Sequence, residues 1–144
     1  MILFTTFNKT YKYFLKAVEN KIDLLNQEHR KELILWLNKW GCRQFSIEFH
    51  KVASHELLGW YNKGYTDLIP QDKKLWELTE SEFEGVSRAY DELTKRKASY
   101  KYRKGKELTI TVGATGASKI LFALRPDVAV PWDEAIRKGL EAFG

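Results

Sequence analysis

Apolar residues at Phe7, Tyr11, Phe14, Val18, Ile22 and Leu25 recur at intervals of three and four. That spacing puts them on one face of a helix, and Thr5 or Thr6 is available to cap it. Leu33, Trp36, Leu37 and Trp40 repeat the pattern in a second helix, closed by Gly41, where a left-handed residue commonly ends a helix. A third helix is marked by Phe49, Val52, Ala53, Leu57, Trp60 and Tyr61 and ends at Gly64. A loop through Pro70 follows. Thr79 and Glu82 form a capping box, with Leu78 and Phe83 at the hydrophobic staple positions around it. A fourth helix therefore starts there, with Phe83, Val86, Tyr90 and Leu93 as its buried face.

Past Leu93 the helical stripe fades, and Gly105 suggests a break. Leu108, Ile110 and Val112 alternate with Thr109 and Thr111, which is the period of a strand. Ser118 to Leu124 reads as a short helix stopped by Pro126. Asp133 to Phe143 reads as another, with Ile136, Leu140 and Phe143 on one face. The pattern predicts an all-α chain, a single compact multi-helix domain over residues 1–144, with room for one short strand pair.

Composition supports that reading. The chain has 144 residues, 44% hydrophobic and 30% charged, which suits one globular domain. One cysteine, Cys42, excludes an intrachain disulfide, and three scattered histidines give no zinc-ligand spacing, so neither a metal nor another cofactor is expected. The amino-terminal residues carry no signal-peptide pattern. The longest uncharged stretch, Leu108 to Ser118, is far shorter than the roughly 20 apolar residues of a membrane span. A cytoplasmic protein without a membrane partner is the expectation.

Charge changes the picture. The net charge is +5, and residues 95 to 106 alone hold Lys95, Arg96, Lys97, Lys101, Arg103, Lys104 and Lys106 with no acidic residue among them. Outside that run, 17 basic residues face 19 acidic ones. Tyr100 and Tyr102 are interleaved with the cations, a mixture suited to nucleic acid because cations meet phosphates and aromatic rings stack on bases. The same run also reads as a solvated helix end. Gly113-Ala114-Thr115-Gly116 precedes a helix, so its backbone N–H groups are placed to meet a phosphate oxygen. A flexible turn with Thr115 as helix cap is the plainer reading. Trp36, Trp40, Trp60 and Trp76 read as core or rim residues.

Residues 112 to 138, with Gly113, Gly116, Lys119 and the Val130-Pro131-Trp132-Asp133 segment, resemble the catalytic stretch of helix-hairpin-helix DNA glycosylases. The resemblance covers about 27 residues, and Val-Pro-Trp-Asp is its most specific part. It implies a helix-hairpin-helix-like carboxy-terminal part, with Gly113 and Gly116 as hairpin glycines. It also implies Lys119 as an amine nucleophile, Asp133 as the carboxylate that stabilises charge on the sugar, and Trp132 lining a pocket for an extruded base. The chain departs from the family in its Gly-x-x-Gly spacing, in the short interval from Lys119 to Asp133, and in the extended residues before the hairpin. The expected function is DNA binding with base excision as the implied activity. The expected phosphate contacts are Gly113, Thr115, Gly116, Lys97, Lys101, Arg103, Lys104 and Lys106. The alternative is a non-catalytic helical module that binds nucleic acid or a protein partner.

Overall fold

The computed structural model describes residues 2–129. Among them are five helices, α1 (Ile2–Ala17), α2 (Gln27–Lys39), α3 (His50–Asn62), α4 (Glu80–Thr94) and α5 (Gly113–Leu124). Two strands, β1 (Lys97–Arg103) and β2 (Lys106–Thr111), form an antiparallel pair. The domain is thus mostly helical with a small sheet, and the strand pair turns out to be a defined β-hairpin between α4 and α5.

The centre of the bundle is α5. Lys119 is its one charged residue, and Gly116, Ala117, Ser118, Lys119, Ile120, Leu121 and Ala123 are all buried. A helix without a polar face has nowhere to sit but between others, and α5 packs against α2 and α4. Around it Trp36 stacks on Phe14, with ring centroids 5.0 Å apart, and Trp60 donates its indole N–H to the Ala89 carbonyl at 3.1 Å. That bond satisfies the one polar group that burying the Trp60 indole would otherwise strand.

Several helix boundaries fall where local chemistry dictates. The Asn26 side chain accepts from the backbone N–H groups of Glu28 and His29 and so starts α2. Thr79 and Glu82 make the reciprocal capping box at the start of α4. Gly41 and Gly64 take positive φ after α2 and α3.

The first apolar stripe does not continue as one helix. Glu19 and Asn20 adopt left-handed backbone just after α1, so Ile22 and Leu25 lie in the connection, and Leu25 is exposed. Phe83, expected on the buried face of α4, is exposed. Trp76, expected in the core or at its rim, is 79% exposed, with the Lys74 ammonium 5.3 Å from its ring centre. The basic run is a helix end only at Lys95, the C-cap of α4. Arg96 follows it, and residues 97–106 form β1, the hairpin turn and the first residue of β2. No described helix is long and apolar enough to cross a membrane.

Candidate nucleic-acid interface

The hairpin is clamped to the helical body at its base and free at its tip. At the base, the Lys97 N–H donates to the Glu56 carboxylate on α3 at 2.9 Å, and the Val112 N–H donates to the Arg96 carbonyl at 2.8 Å. Gln44 works from the other side. Its carbonyl accepts from the Ser99 hydroxyl at 2.6 Å, and its amide donates to the Val112 carbonyl at 2.8 Å. Ala98 and Ser99 are buried there, whereas every residue from Lys101 to Thr109 is exposed. The turn places Lys104 and Gly105 at φ of 52° and 76°, the left-handed pair of a type I′ turn whose twist matches that of the flanking strands.

Pairing sorts the side chains by face. Tyr100 lies opposite Thr109 and Tyr102 opposite Glu107, so these four share one side of the ribbon. Lys101 with Leu108 and Arg103 with Lys106 share the other. Cations and tyrosines that alternate in sequence are therefore separated onto opposite faces. On the aromatic face the Tyr102 hydroxyl donates to Glu107 at 2.9 Å. That bond raises the phenol's pKa first, helped by the negative charge of the same carboxylate. Tyr100 meets Phe49 edge-on, with centroids 5.5 Å apart.

The seven cations do not share one role. Arg96 is half-buried, its guanidinium lying over α3 so closely that a Cβ on Gly59 would come within 3.2 Å of it. Lys95 reaches Glu92 at 3.7 Å, and the Lys97 ammonium lies 5.9 Å from the Tyr100 ring centre. Lys101, Arg103, Lys104 and Lys106 are exposed and form no ion pair among the described residues. They crowd the distal end of the ribbon, where Glu107, engaged by Tyr102, is the nearby acid in the register.

The glycine segment is built differently from a hairpin between helices. Gly113 to Gly116 form the first turn of α5, and a strand rather than a helix precedes them. Gly113 is needed for its backbone, at φ of 75°. Gly116 is needed for its size, because a Cβ there would fall 2.7 Å from the Gln44 amide nitrogen and 3.1 Å from Val112 Cγ1. Thr115 lies inside the helix, where its carbonyl accepts from the Ser118 hydroxyl, and Val112 holds the cap position.

Lys119 is 3% exposed. Its ammonium donates to the Trp40 carbonyl and sits over the Trp40 ring, within the packing of α5 against the end of α2. Trp132 and Asp133, the other residues carried by the glycosylase resemblance, lie outside the described residues, as does the helix expected over Asp133 to Phe143. Among the described residues no group of three or more His, Cys, Asp or Glu side chains is placed to hold a metal ion.

Sequence reasoning did not single out Arg43, Gln44 or Ser46, nor a site role for Phe49. These residues line an open groove of about 590 Å³ along β1, together with Tyr100, Lys101 and Tyr102. Comparison of the chain with protein-family models, with curated proteins and with solved structures finds no match.

Proposed function

We propose that this domain binds nucleic acid, presenting the distal half of the β1–β2 hairpin to the phosphates of duplex DNA. The observation that carries the reading is the tip itself: Lys101, Arg103, Lys104 and Lys106, exposed and without an ion pair among the described residues, on a ribbon fixed at its base by Glu56, Gln44 and Val112. A two-stranded ribbon, with strands about 4.8 Å apart, fits a major groove about 12 Å wide. Cations on its face and turn then meet the phosphate walls, and the rigid base means little entropy is lost on docking.

Salt-dependent affinity for a blunt 20-base-pair duplex, read by fluorescence anisotropy, tests this. Each phosphate-bound cation contributes about −0.9 to the slope of log K against log salt. Four engaged cations give a slope near −3.6. Neutralising Lys101, Arg103, Lys104 and Lys106 together should remove most of that binding. Undiminished affinity in the quadruple variant would move the assignment to a protein partner. Base excision through Lys119 asks more of the fold, because the amine must first leave Trp40 to reach a sugar carbon. The binding module is therefore the reading we adopt.

A further inference from the structure

Resting on that reading of the hairpin, we propose that the groove between β1 and residues 43–49 receives an unpaired nucleobase, so that the domain prefers DNA with an extrahelical or single-stranded nucleotide over a fully paired duplex. The groove's volume, about 590 Å³, falls within the ~300–1,000 Å³ typical of small-ligand sites. Its lining joins the aromatic rings of Phe49, Tyr100 and Tyr102 to the cation Arg43, while Lys101, between the two tyrosines in β1, lies on the ribbon's other face.

The rings are held, which matters for stacking. An exposed tyrosine ordinarily samples several rotamers, and immobilising it costs binding energy. Tyr102 is 67% exposed, yet its hydroxyl is tied across the strands to Glu107, and Tyr100 is braced edge-on by Phe49. Both therefore offer a fixed ring on the same face of β1, two residues and about 7 Å apart. That separation is about twice the 3.4 Å rise per nucleotide of a stacked strand, so successive unstacked bases have a ring each within reach. A base inside a duplex has both faces covered by its neighbours, which is why only an unpaired one can use these rings.

Charge points the same way. Lys101 borders the groove along β1 and belongs to the exposed cations of the tip, on the face opposite the tyrosines. A strand whose phosphates meet the tip cations can thus turn one base around the ribbon into the groove beside Arg43. Glu48, also on the groove wall, offers acceptors to a base edge. Two acidic groups, Glu48 and Glu107, adjoin the aromatic face. They disfavour a phosphate directly over the rings, and so favour the base rather than the backbone at that spot.

The experiment compares the blunt 20-base-pair duplex with the same duplex carrying a two-nucleotide bulge, one bulged base being 2-aminopurine. Wild-type protein should bind the bulged duplex about tenfold more tightly, the gain expected from stacking one base on an aromatic ring, and should quench the 2-aminopurine. Tyr102→Thr, at an exposed strand position, should bring the ratio of bulged to blunt affinity to about one and remove much of the quenching, the ratio cancelling any change that the released Glu107 makes to both duplexes. Tyr100→Leu serves as the second variant, with circular dichroism confirming that each still folds. Equal affinity for both duplexes, lost from both in the quadruple tip variant, would overturn the groove and leave the tip reading standing. A bulge preference that depends on Tyr102 but not on the tip cations would keep the groove and overturn the tip. Binding to neither duplex would overturn both.

Discussion

The Lys119 ammonium donates to the Trp40 carbonyl oxygen at 3.2 Å and rests 4.2 Å from the centre of the Trp40 ring. Trp40 is the C-cap residue of α2, where carbonyls left without helical partners carry the negative end of the helix dipole. A cation delivered there from the central helix joins α5 to the end of α2. The contact uses both ends of the lysine: its four-carbon stem fills space in the core, and its charge satisfies a carbonyl.

Lys119→Ala should therefore cost about 2–4 kcal/mol in urea denaturation, mostly from the emptied stem volume. Lys119→Met keeps the stem and relieves a buried charge that has no carboxylate partner among the described residues, so its cost should stay below about 1.5 kcal/mol. The Met variant then gives a clean test of amine chemistry. With the amine held on Trp40, wild-type protein should form no borohydride-trapped adduct with abasic-site DNA. An adduct present in wild type and lost in Lys119→Met would show that Trp40 moves aside and that the amine is a nucleophile.

How much of this was legible in the sequence depends on whether the determining contacts are local. The start of α4 was legible because Thr79 and Glu82 bond each other's backbone within one turn. The ends of α2 and α3 were legible because Gly41 and Gly64 take backbone that other residues disfavour. The hairpin was half legible. A ribbon that projects into solvent has no buried face along Lys101 to Thr109, so the apolar alternation that announces a strand is absent from its first half. The groove was not legible at all, since Gln44 and Ser99, which bring its walls together, are 55 residues apart in sequence. The two-residue period of β1, which puts Tyr100 and Tyr102 on one face and Lys101 and Arg103 on the other, appears only once the segment is known to be a strand.

The capping box makes the stability of α4 depend on pH. Glu82 accepts from Lys73 at 2.7 Å and from the Thr79 backbone N–H at 3.0 Å. The Lys73 bond first, and the Thr79 bond second, hold its carboxyl below the usual carboxylate range. A group whose pKa is lowered on folding contributes stability above its unfolded pKa and loses it as pH falls through the folded value. Urea denaturation should find Glu82→Gln less stable than wild type at neutral pH, with the gap closing as pH drops below the ordinary glutamate range. A gap independent of pH would mean that the charge plays no part and that only the cap geometry matters.

Gly116 links the central helix to the hairpin. An alanine there must push the Gln44 amide, which would lie 2.7 Å from the new Cβ, off the Val112 carbonyl. Gly116→Ala should cost about 1–3 kcal/mol in a thermal or urea melt. Because Gln44 also accepts from Ser99, amide exchange in β1 should quicken together with the loss of stability. A helix-propensity gain with no effect on β1 would show that Gln44 can relax without loosening the hairpin.

Shape and charge at the tip can be separated at the turn. Lys104 occupies left-handed backbone, at φ of 52°, which disfavours an ordinary L residue, and it precedes Gly105 at φ of 76°. Asn-Gly is the preferred pair for a type I′ turn, so Lys104→Asn should hold or slightly raise the melting temperature while removing one cation. Its salt slope for duplex DNA should be shallower than wild type by about 0.9. Gly105→Ala does the reverse: it keeps every cation but forces a Cβ into left-handed backbone, at a cost of about 1–2 kcal/mol, which is borne by the turn that holds the two strands in register. Its affinity should fall because the cations are no longer held in one arrangement. If Lys104→Asn left the slope at its wild-type value, Lys104 would not be among the phosphate contacts. If Gly105→Ala bound as tightly as wild type, net charge alone would account for binding, and the ordered hairpin would not be needed.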